Sequence, residues 1–326
     1  MLAIPDGYRT NVREYATDAD DWLGGLPGLA DRYLAAWDLV RDGEDVWHGY
    51  VGIVVPVRMP DGTAAALKIS YPSPESAHEA AALAEWAGRG AVRVLRADPA
   101  HQVLLLERLD NTRSLRDVPV PQAVSIWGAL MRELSAPLPP GPQPFESLAE
   151  LSRRWLCELP DRWERLGRPG PAWLLDEALA VCRDAAVEST LGQGNSLLVH
   201  SSSVLVHTDL HFENVLATPD GARWRAIDPK PLLGVAEFAV APMLWNRLGE
   251  LDGGAEALRA RCHALSEAAG LDRELARRWS VAREVENHLE YLESGLPGDA
   301  TRSLWVATAL CGRADPGVDP AGLASL

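Results

Sequence analysis

The sequence predicts an α+β protein with two lobes: an antiparallel β-sheet lobe over residues 1–109 and a mainly helical lobe over residues 110–326. Three observations support this fold class. Short apolar, β-branched runs separated by turns dominate the first third of the chain, which is typical of strands. Apolar residues recur at helical spacing through most of the remainder. The chain has 326 residues, which is more than a single hydrophobic core usually supports.

Composition restricts the class of partner. The chain carries 31 basic and 46 acidic residues, a formal net charge of −15. This charge repels nucleic acid and anionic membrane surfaces, so neither is an expected partner. Acidity favours a cationic partner, although it also serves solubility. With 47% hydrophobic and 24% charged residues, the chain has the composition of an ordinary soluble protein, and we expect a monomer or a dimer.

The sequence also indicates a cytoplasmic location. The four cysteines form no C-x-x-C pair, so neither a zinc site nor a redox pair is indicated, and isolated thiols fit a reducing compartment. Residues 1–15 lack the basic start and the apolar centre of a signal peptide. The chain contains no apolar run long enough for a membrane span.

The first lobe is predicted to hold one leading helix and five strands. The helix covers residues 18–33, where acidic and apolar positions are mixed. A tight turn at Met59-Pro60-Asp61-Gly62 joins the second strand to the third. The strands are Ala36–Val40, Val51–Val57, Thr63–Ser70, Val92–Arg96 and Gln102–Leu106.

Lys68 lies in an otherwise apolar strand, where a charged side chain is costly unless it is paired. A helix is expected next, because Ser73-Pro74-Glu75 has the residues of a helix start and the pattern continues to about Arg89. Glu79 lies inside that helix. We therefore predict a Lys68–Glu79 ion pair; the alternative is a lysine that extends to water.

Two glycines lie between the first two strands. Gly49 and Gly52 belong to the segment Trp47-His48-Gly49-Tyr50-Val51-Gly52, which lacks the full G-x-G-x-x-G pattern. The segment is either a phosphate-binding loop, whose backbone N–H groups act as donors, or a simple hairpin turn. The residues alone leave both interpretations open.

The second lobe is predicted to be helical. In its last helix Glu286, Glu290 and Glu293 share a face, because they are spaced i, i+4, i+7. This face is either simply solvated or a carboxylate wall in which Glu286 and Glu290 contact a cationic substrate. The predicted helices are Pro119–Ser135, Phe145–Leu166, Trp173–Leu191, Phe238–Leu248, Ala255–Ala269 and Arg273–Leu292.

The segment Val204–Lys230 carries the clearest chemical signal. It contains His207-Thr208-Asp209-Leu210, then Asn214, then Asp228, in the order of the catalytic loop and metal-binding acid of kinases. Phosphoryl transfer needs one carboxylate to orient or deprotonate the attacking hydroxyl. An amide oxygen and a second carboxylate hold Mg²⁺ against the nucleotide phosphates. A hairpin predicted after Asn214 returns Asp228 to the loop that carries Asn214.

With these residues in this order, the chain resembles the aminoglycoside phosphotransferase branch of the protein-kinase-like superfamily. The stretches HTDLHFENVL, AIDPKPLLG, MLWNR and LLLERLDNTRSL are similar to the streptomycin 6-phosphotransferase and hydroxyurea phosphotransferase group. The resemblance implies a protein-kinase-like bilobal fold with ATP and Mg²⁺ as cofactors. It also implies transfer of the γ-phosphate to a hydroxyl of a small molecule, an aminoglycoside-type antibiotic or hydroxyurea, which gives resistance.

On the nucleotide side, the resemblance assigns Lys68 with Glu79 to the α- and β-phosphates. LLLERL ends a strand and passes into polar residues, which in a kinase is the hinge. There the carbonyl of Glu107 and the N–H of Leu109 would bind the adenine edge.

On the acceptor side, the resemblance makes Asp209 the base or orienting carboxylate and makes Asn214 and Asp228 the metal ligands. Two positions depart from many relatives. Thr208 replaces a glycine and stiffens the loop. Ala239 stands where an aspartate lies on the helix beneath the catalytic loop, so we expect the loop to be braced differently here.

Other functions remain open at this stage. A metabolic kinase with a sugar or amino-alcohol acceptor would carry the same motifs, because acceptor choice depends on variable helices. A nucleotide-binding pseudoenzyme is the alternative from another class, and the intact Lys68, Asp209, Asn214 and Asp228 argue against it. The net charge, the acid-rich last helix and Asp209 together predict an acceptor that is cationic or neutral.

Overall fold

The computed structural model describes residues 2–73, 76–138, 143–191 and 203–323. The chain forms two compact units, Met1–Arg113 with Leu216–Lys230 and Ser114–Val215 with Pro231–Leu326. The segment that ends in Asp228 and Lys230 thus belongs to the first unit, although it comes late in the chain. Strands concentrate in the first unit and helices in the second, which confirms the predicted α+β class.

The secondary-structure elements of the described residues are numbered here in chain order. The helices are α1 (Asp6–Tyr15), α2 (Ala19–Ala36), α3 (Glu79–Trp86), α4 (Val120–Leu134), α5 (Leu148–Arg165), α6 (Ala172–Leu191), α7 (Pro242–Trp245), α8 (Gly254–Ala269), α9 (Arg273–Glu293) and α10 (Pro297–Leu310). The strands are β1 (Val40–Arg41), β2 (Trp47–His48), β3 (Gly52–Arg58), β4 (Ala64–Ser70), β5 (Val94–Asp98), β6 (Val103–Glu107), β7 (Asp110–Ser114), β8 (Val204–His207), β9 (Val215–Ala217), β10 (Trp224–Ala226) and β11 (Pro231–Gly234).

Strand β4 lies in the middle of the main sheet of the first unit. The order is β1–β3–β4–β6–β5, with β2 also paired to β3, and all these pairs are antiparallel. Ala65, Leu67 and Ile69 of β4 join the hydrophobic core on one face of the sheet. Lys68 therefore points to the opposite face, because side chains alternate along a strand.

Helices α1 and α2 bury their apolar sides in the same core. Tyr8 from α1 and Leu26 from α2 are completely buried and cluster with the strand residues. The sequence predicted only one helix here, over residues 18–33. The predicted strand Ala36–Val40 is wrong, since α2 continues to Ala36 and only Val40 and Arg41 pair with β3. A short apolar run next to a helix cannot be assigned by its pattern alone.

Helix α3 begins later than predicted. Ser73 does not start the helix, because its hydroxyl accepts from the Ser76 N–H at 3.2 Å in a separate turn. Such local side-chain bonds compete with helix formation. Pro74 and Glu75 lie outside the described residues. The helix starts at Glu79, which places that carboxylate in its first turn.

The second unit is built mainly from long helices. Helix α5 starts with a capping box, in which Ser147 and Glu150 satisfy each other's backbone N–H groups. Helix α9 packs against α6 and α10. Strand β8 pairs antiparallel with β11, with His207 opposite Pro231, and its four residues are buried. This strand carries the chain into the Asp209 loop.

The predicted helix Phe238–Leu248 is wrong. The structure has a 3₁₀ turn over Ala236–Ala239, the four-residue helix α7 and a second 3₁₀ turn over Leu248–Glu250. Pro242 cannot continue a preceding helix, because it lacks an N–H and its ring clashes with the previous turn. Arg247 has a positive φ of 55°, which ends the helical path again. Within the described residues, every helix is too short or too polar to span a membrane.

A carboxyl group is buried between α9 and α10. Glu284 is completely buried, and no hydrogen bond of good geometry reaches its carboxylate oxygens among the described residues. Burial raises the pKa of Glu284 to about 8, although the nearby Ser303 hydroxyl and the charges of Arg302 and Arg283 partly oppose the shift. At neutral pH the folded protein therefore holds a proton that the unfolded chain releases.

Relative to wild type, we expect Glu284→Gln to change the free energy of unfolding more favourably at pH 8 than at pH 5. Between the ordinary pKa of 4.5 and about 8, folded Glu284 binds a proton and unfolded Glu284 does not, so wild-type stability falls as pH rises. Within that window the contribution is about 1.4 kcal/mol per pH unit. Urea unfolding at pH 5, 6.5 and 8 would measure it, with Glu256→Gln on the exposed side of α8 as the control. Parallel pH profiles for wild type and Glu284→Gln would contradict the expectation.

Candidate active site

Lys68 lies between two carboxylates of the first unit. Its ammonium donates to Glu79 Oε1 at 2.6 Å and to Asp228 Oδ1 at 2.7 Å. The ion pair with Glu79 is therefore present as predicted, and Asp228 is a second partner that the sequence pattern did not reveal. The side chains of Lys68 and Glu79 are only 9% and 5% exposed, whereas that of Asp228 is 52% exposed. One accessible carboxylate thus lies beside a buried ion pair.

The charges of this cluster keep the lysine protonated. Burial by itself lowers the pKa of Lys68, but the negative charges of Asp228 and Glu79 outweigh burial and raise the pKa. Burial raises the pKa of Glu79, and the positive charge of Lys68 opposes that increase. An ammonium has three donors, and the two carboxylates use two of them. Among the described residues, the third donor has no hydrogen-bond partner.

Three elements bring these side chains together. Strand β4 places Lys68 opposite Val54 of β3 and Leu104 of β6, at the centre of the sheet. Helix α3 presents Glu79 as its first residue. Asp228 follows β10 and has a positive φ of 55°. Residues other than glycine rarely adopt this conformation, and those that do are often found at functional sites.

The glycine segment lies over Lys68 and Asp228. The Gly49 N–H donates to the Gly52 carbonyl at 2.9 Å, which closes the hairpin between β2 and β3. A β-carbon built on Gly49 would lie 3.7 Å from Asp228 Oδ2, and one built on Gly52 would lie 3.5 Å from Lys68 Cε. The segment is therefore a hairpin turn, and its backbone also lies next to the lysine–carboxylate cluster.

The N-terminal helices hold this segment in place. The Tyr8 hydroxyl donates to the Val51 carbonyl at 3.3 Å and accepts from the Trp22 indole N–H at 2.9 Å. Burial raises the pKa of Tyr8 to about 12, so the hydroxyl keeps its proton for this bond. The sequence pattern had given α1 no role in the site.

In the second unit, side chains fix the backbone of the Asp209 loop. Arg283 of α9 donates to the Thr208 carbonyl at 2.6 Å, and Asn214 donates to the Asp209 carbonyl at 2.8 Å. The Trp127 indole of α4 donates to the Leu210 carbonyl at 3.1 Å. Three consecutive carbonyl groups are thus held by side chains from three different elements.

Two bonds connect the residues of the motif itself. The Asp209 N–H donates to His207 Nδ1 at 3.2 Å, so the first residue of the motif caps the loop. Asn214 is buried in a 3₁₀ helix, Phe212–Asn214, and its amide nitrogen points at the Asp209 carbonyl. Its amide oxygen therefore lies on the other branch of the side chain, away from that carbonyl.

The two predicted adenine-binding residues lie at the end of β6 and in the short connection to β7. Glu107 ends β6, opposite Ala65 of β4, and its carboxylate accepts from the Arg93 N–H at 2.9 Å. Leu109 is buried and precedes β7. Their backbone role towards adenine stays a prediction.

The acidic face of α9 has a partner that the sequence did not indicate. Arg162 of α5 binds Glu286 at 3.2 Å, Glu290 at 3.0 Å and Glu293 at 2.9 Å. The face is therefore neither simply solvated nor a set of vacant carboxylates. Burial raises the pKa of Glu286, and Arg162 opposes that increase. Contact of Glu286 and Glu290 with a substrate stays a prediction, and it now requires competition with Arg162.

Comparison with known proteins decides the family. A family model described as aminoglycoside/hydroxyurea antibiotic resistance kinase matches residues 36–295. The chain belongs to this family. A streptomycin 6-kinase from Streptomyces griseus is 34% identical over 315 residues, which is 95% of this chain and 97% of the relative. A hydroxyurea phosphotransferase from Kitasatospora aureofaciens is 38% identical over 303 residues, which is 90% of this chain and 81% of the relative.

A solved structure supports the fold of this antibiotic resistance kinase family member. The crystal structure of a thermostable mutant of aminoglycoside phosphotransferase APH(4)-Ia, a complex with ADP and hygromycin B, aligns with a TM-score of 0.56. The two share 16% identity over 88% of this chain and 99% of the other, so the likeness concerns the fold. The resemblance seen in the motifs is confirmed, and the chain is a small-molecule phosphotransferase.

The Lys68–Glu79 pair of this kinase should behave as a coupled unit. Lys68→Met leaves a buried carboxylate without its cation, and Glu79→Ala removes one of two acids from a buried ammonium. We expect the double variant to lose less unfolding free energy than the sum of the single variants, by about 1–3 kcal/mol. Urea unfolding of all four proteins measures the coupling.

The exposed pair Arg13–Asp20, in the same unit, is the control for this cycle. Its coupling should be below about 1 kcal/mol, because water screens exposed charges. Additive losses at Lys68 and Glu79 would contradict the coupled unit.

Proposed function

We propose that this protein is an ATP-dependent kinase that moves the γ-phosphate to a hydroxyl of a small antibiotic of the aminoglycoside type or of hydroxyurea, and so confers resistance. The observation that carries the proposal is the Asp209 loop, whose carbonyl groups are held by Arg283, Asn214 and Trp127 in a member of a kinase family. Phosphoryl transfer depends mainly on positioning and electrostatic stabilisation, and a loop held in this way suits that task.

Asp209 is the proposed catalytic residue. Its carboxylate would accept a hydrogen bond from the acceptor hydroxyl and orient the oxygen for attack. It would take the proton as that oxygen bonds to the γ-phosphorus and as the bond from this phosphorus to the bridging oxygen breaks, so that ADP leaves with the bridging oxygen. General-base assistance of this kind contributes about 10²–10⁴-fold. The fixed loop backbone lowers the reorganisation that this step requires.

The nucleotide is proposed to bind in the first lobe, residues 1–109. The third donor of the Lys68 ammonium would reach the α- and β-phosphates, while Glu79 keeps the lysine charged. Backbone N–H groups of the segment from Gly49 to Gly52 would bind phosphate oxygens. The carbonyl of Glu107 and the N–H of Leu109 would bind adenine.

The proposed metal is Mg²⁺, with Asn214 and Asp228 as its proposed ligands. The Asn214 amide oxygen is turned away from the carbonyl that binds the amide nitrogen, and the Asp228 carboxylate is half exposed. Both are hard oxygen donors, which Mg²⁺ prefers, and phosphate oxygens and water complete its usual ligands. When bound, the ion would neutralise charge on the phosphates.

We expect Asp209→Asn to lose transfer while it keeps its affinity for MgATP. The amide retains the shape of the side chain but accepts no proton, so turnover should fall at least about 10²-fold. Wild type and variant would be compared on a panel of aminoglycosides, hydroxyurea, sugars and amino alcohols, with ADP release and acceptor mass as readouts. Calorimetry would measure MgATP binding.

Asp220→Asn is the matched control, because this acid is an exposed hairpin residue that binds Thr218. Near wild-type turnover of Asp209→Asn on a verified acceptor would remove Asp209 from the mechanism. If the wild-type protein phosphorylated only sugars or amino alcohols, the proposed resistance function would be wrong and a metabolic function would take its place.

The acceptor is proposed to be cationic or neutral, with its positive groups near Glu286 and Glu290. If a cationic acceptor competes with Arg162 for these carboxylates, Glu286→Gln and Glu290→Gln should each raise the acceptor KM roughly tenfold, the loss expected for one charge-assisted hydrogen bond. The turnover number should change less, because the lost binding is common to the ground and transition states. Higher salt should also raise KM.

Glu293→Gln separates this role from helix packing. Glu293 binds the same Arg162, and Arg165 in addition, so its replacement loses at least as much ion pairing, but it is not a proposed acceptor contact. Its acceptor KM should stay at the wild-type value. If the acceptor KM changed equally in all three variants, the three acids would serve only the packing between α5 and α9.

A further inference from the structure

Arg283 of α9 makes the shortest of the three hydrogen bonds described above between side chains and carbonyl groups of the Asp209 loop. Its Nη1 donates to the Thr208 carbonyl at 2.6 Å and to the Phe238 carbonyl at 3.3 Å. The guanidinium carbon also lies 4.9 Å from the centre of the Phe238 ring and 5.1 Å from that of Trp245. Contact with two rings and two carbonyl groups fixes both the position and the plane of the guanidinium.

The bridge formed by Arg283 links two segments of the second unit. Thr208 is the residue before Asp209 in the loop, and Phe238 is the residue before Ala239. Ala239 is completely buried and offers no polar side chain that could bind the loop. The Arg283 guanidinium reaches both segments from α9 and so connects the loop to the turn beneath it.

Arg283 also supplies positive charge next to acidic groups. Burial lowers its pKa, and the negative charges of Asp209, Glu284 and Glu286 oppose that decrease. Of the three side chains that hold the loop carbonyls, only Arg283 is charged; Asn214 and Trp127 are neutral donors. Arg283 can therefore hold the backbone before Asp209 and act electrostatically on its carboxylate.

We propose that Arg283 is a positioning residue for phosphoryl transfer: by clamping the Thr208 carbonyl to the Phe238 carbonyl between two aromatic rings, it holds the Asp209 carboxylate in its reactive place. This inference rests on the proposed function of Asp209. Arginine suits this clamp better than lysine, because its Nη1 binds both carbonyl groups while the planar guanidinium lies against the two rings, and a lysine could supply only the bonds to the carbonyl groups.

The kinetic test uses Arg283→Gln and Arg283→Lys. We expect Arg283→Gln to lower kcat roughly 10- to 100-fold, the effect of one lost charge-assisted hydrogen bond. The KM of the acceptor and the affinity for MgATP should change little, because Arg283 is not proposed to touch either ligand. Arg283→Lys should recover part of kcat. In Arg283→Ala, added guanidinium ion at non-denaturing concentration should restore activity, which a loss of folded protein would not allow.

Arg259→Gln is the matched control. Arg259 of α8 also donates to a backbone carbonyl, that of Ala309 at 3.0 Å, and it is part of neither the loop nor its braces. Its kcat should equal the wild-type value. A kcat of Arg283→Gln within threefold of wild type, or an equal loss in Arg259→Gln, would overturn the positioning role.

Amide hydrogen exchange tests the clamp without any activity. The N–H groups from Thr208 to Leu210 should exchange faster in Arg283→Gln than in wild type, and they should be unchanged in Arg259→Gln. Unchanged exchange in Arg283→Gln would overturn the clamp. If these N–H groups exchanged faster in Arg283→Gln but the wild-type protein phosphorylated no acceptor, the clamp would stand and the proposed function would be overturned.

Discussion

The buried ammonium of Lys68 is the constraint on which the first unit depends. A lysine at the centre of a sheet is unfavourable unless acids lie within hydrogen-bond distance, and two do, Glu79 at 2.6 Å and Asp228 at 2.7 Å. Helix α3 must begin where it does, and the hairpin before Asp228 must return to the sheet, for both acids to reach it. Asp228 makes this contact from a left-handed backbone with a φ of 55°.

The Asp209 loop in the second unit is stabilised in a different way. Its backbone carbonyl groups accept hydrogen bonds, whereas the Lys68 cluster is stabilised by ion pairs. Arg283, Asn214 and Trp127 each bind one carbonyl of three consecutive residues, so the loop has little freedom to reorganise. For a reaction whose catalysis consists mostly of placement, such rigidity is useful. Asn214 holds the loop through its amide nitrogen, and its amide oxygen is the group proposed as a metal ligand.

Arg162 forms ion pairs with the acidic face of α9 in a protein of net charge −15. Its guanidinium meets Glu286, Glu290 and Glu293, and its side chain is only 11% exposed. The planar fork of arginine suits several carboxylates at once. The pair of helices that carries these groups is thus held by charge as well as by apolar packing, and a cationic ligand would meet carboxylates that already have a partner.

The sequence by itself determined the α+β class, the Lys68–Glu79 pair and the motif from His207 to Asp228, because these depend on spacing along the chain and on the cost of an unpaired buried charge. Only the tertiary structure revealed Asp228 as a partner of Lys68, Arg162 as the partner of the acidic face, and Arg283 as the brace of the loop. Each joins residues far apart in the chain, as Arg283 joins Thr208 across 75 positions. Periodicity identifies the face on which a side chain lies but not the element that packs against it. The error at residues 238–248 has a different cause: Pro242, which is visible in the sequence, and the turn at Arg247 break an apolar run that resembles a helix.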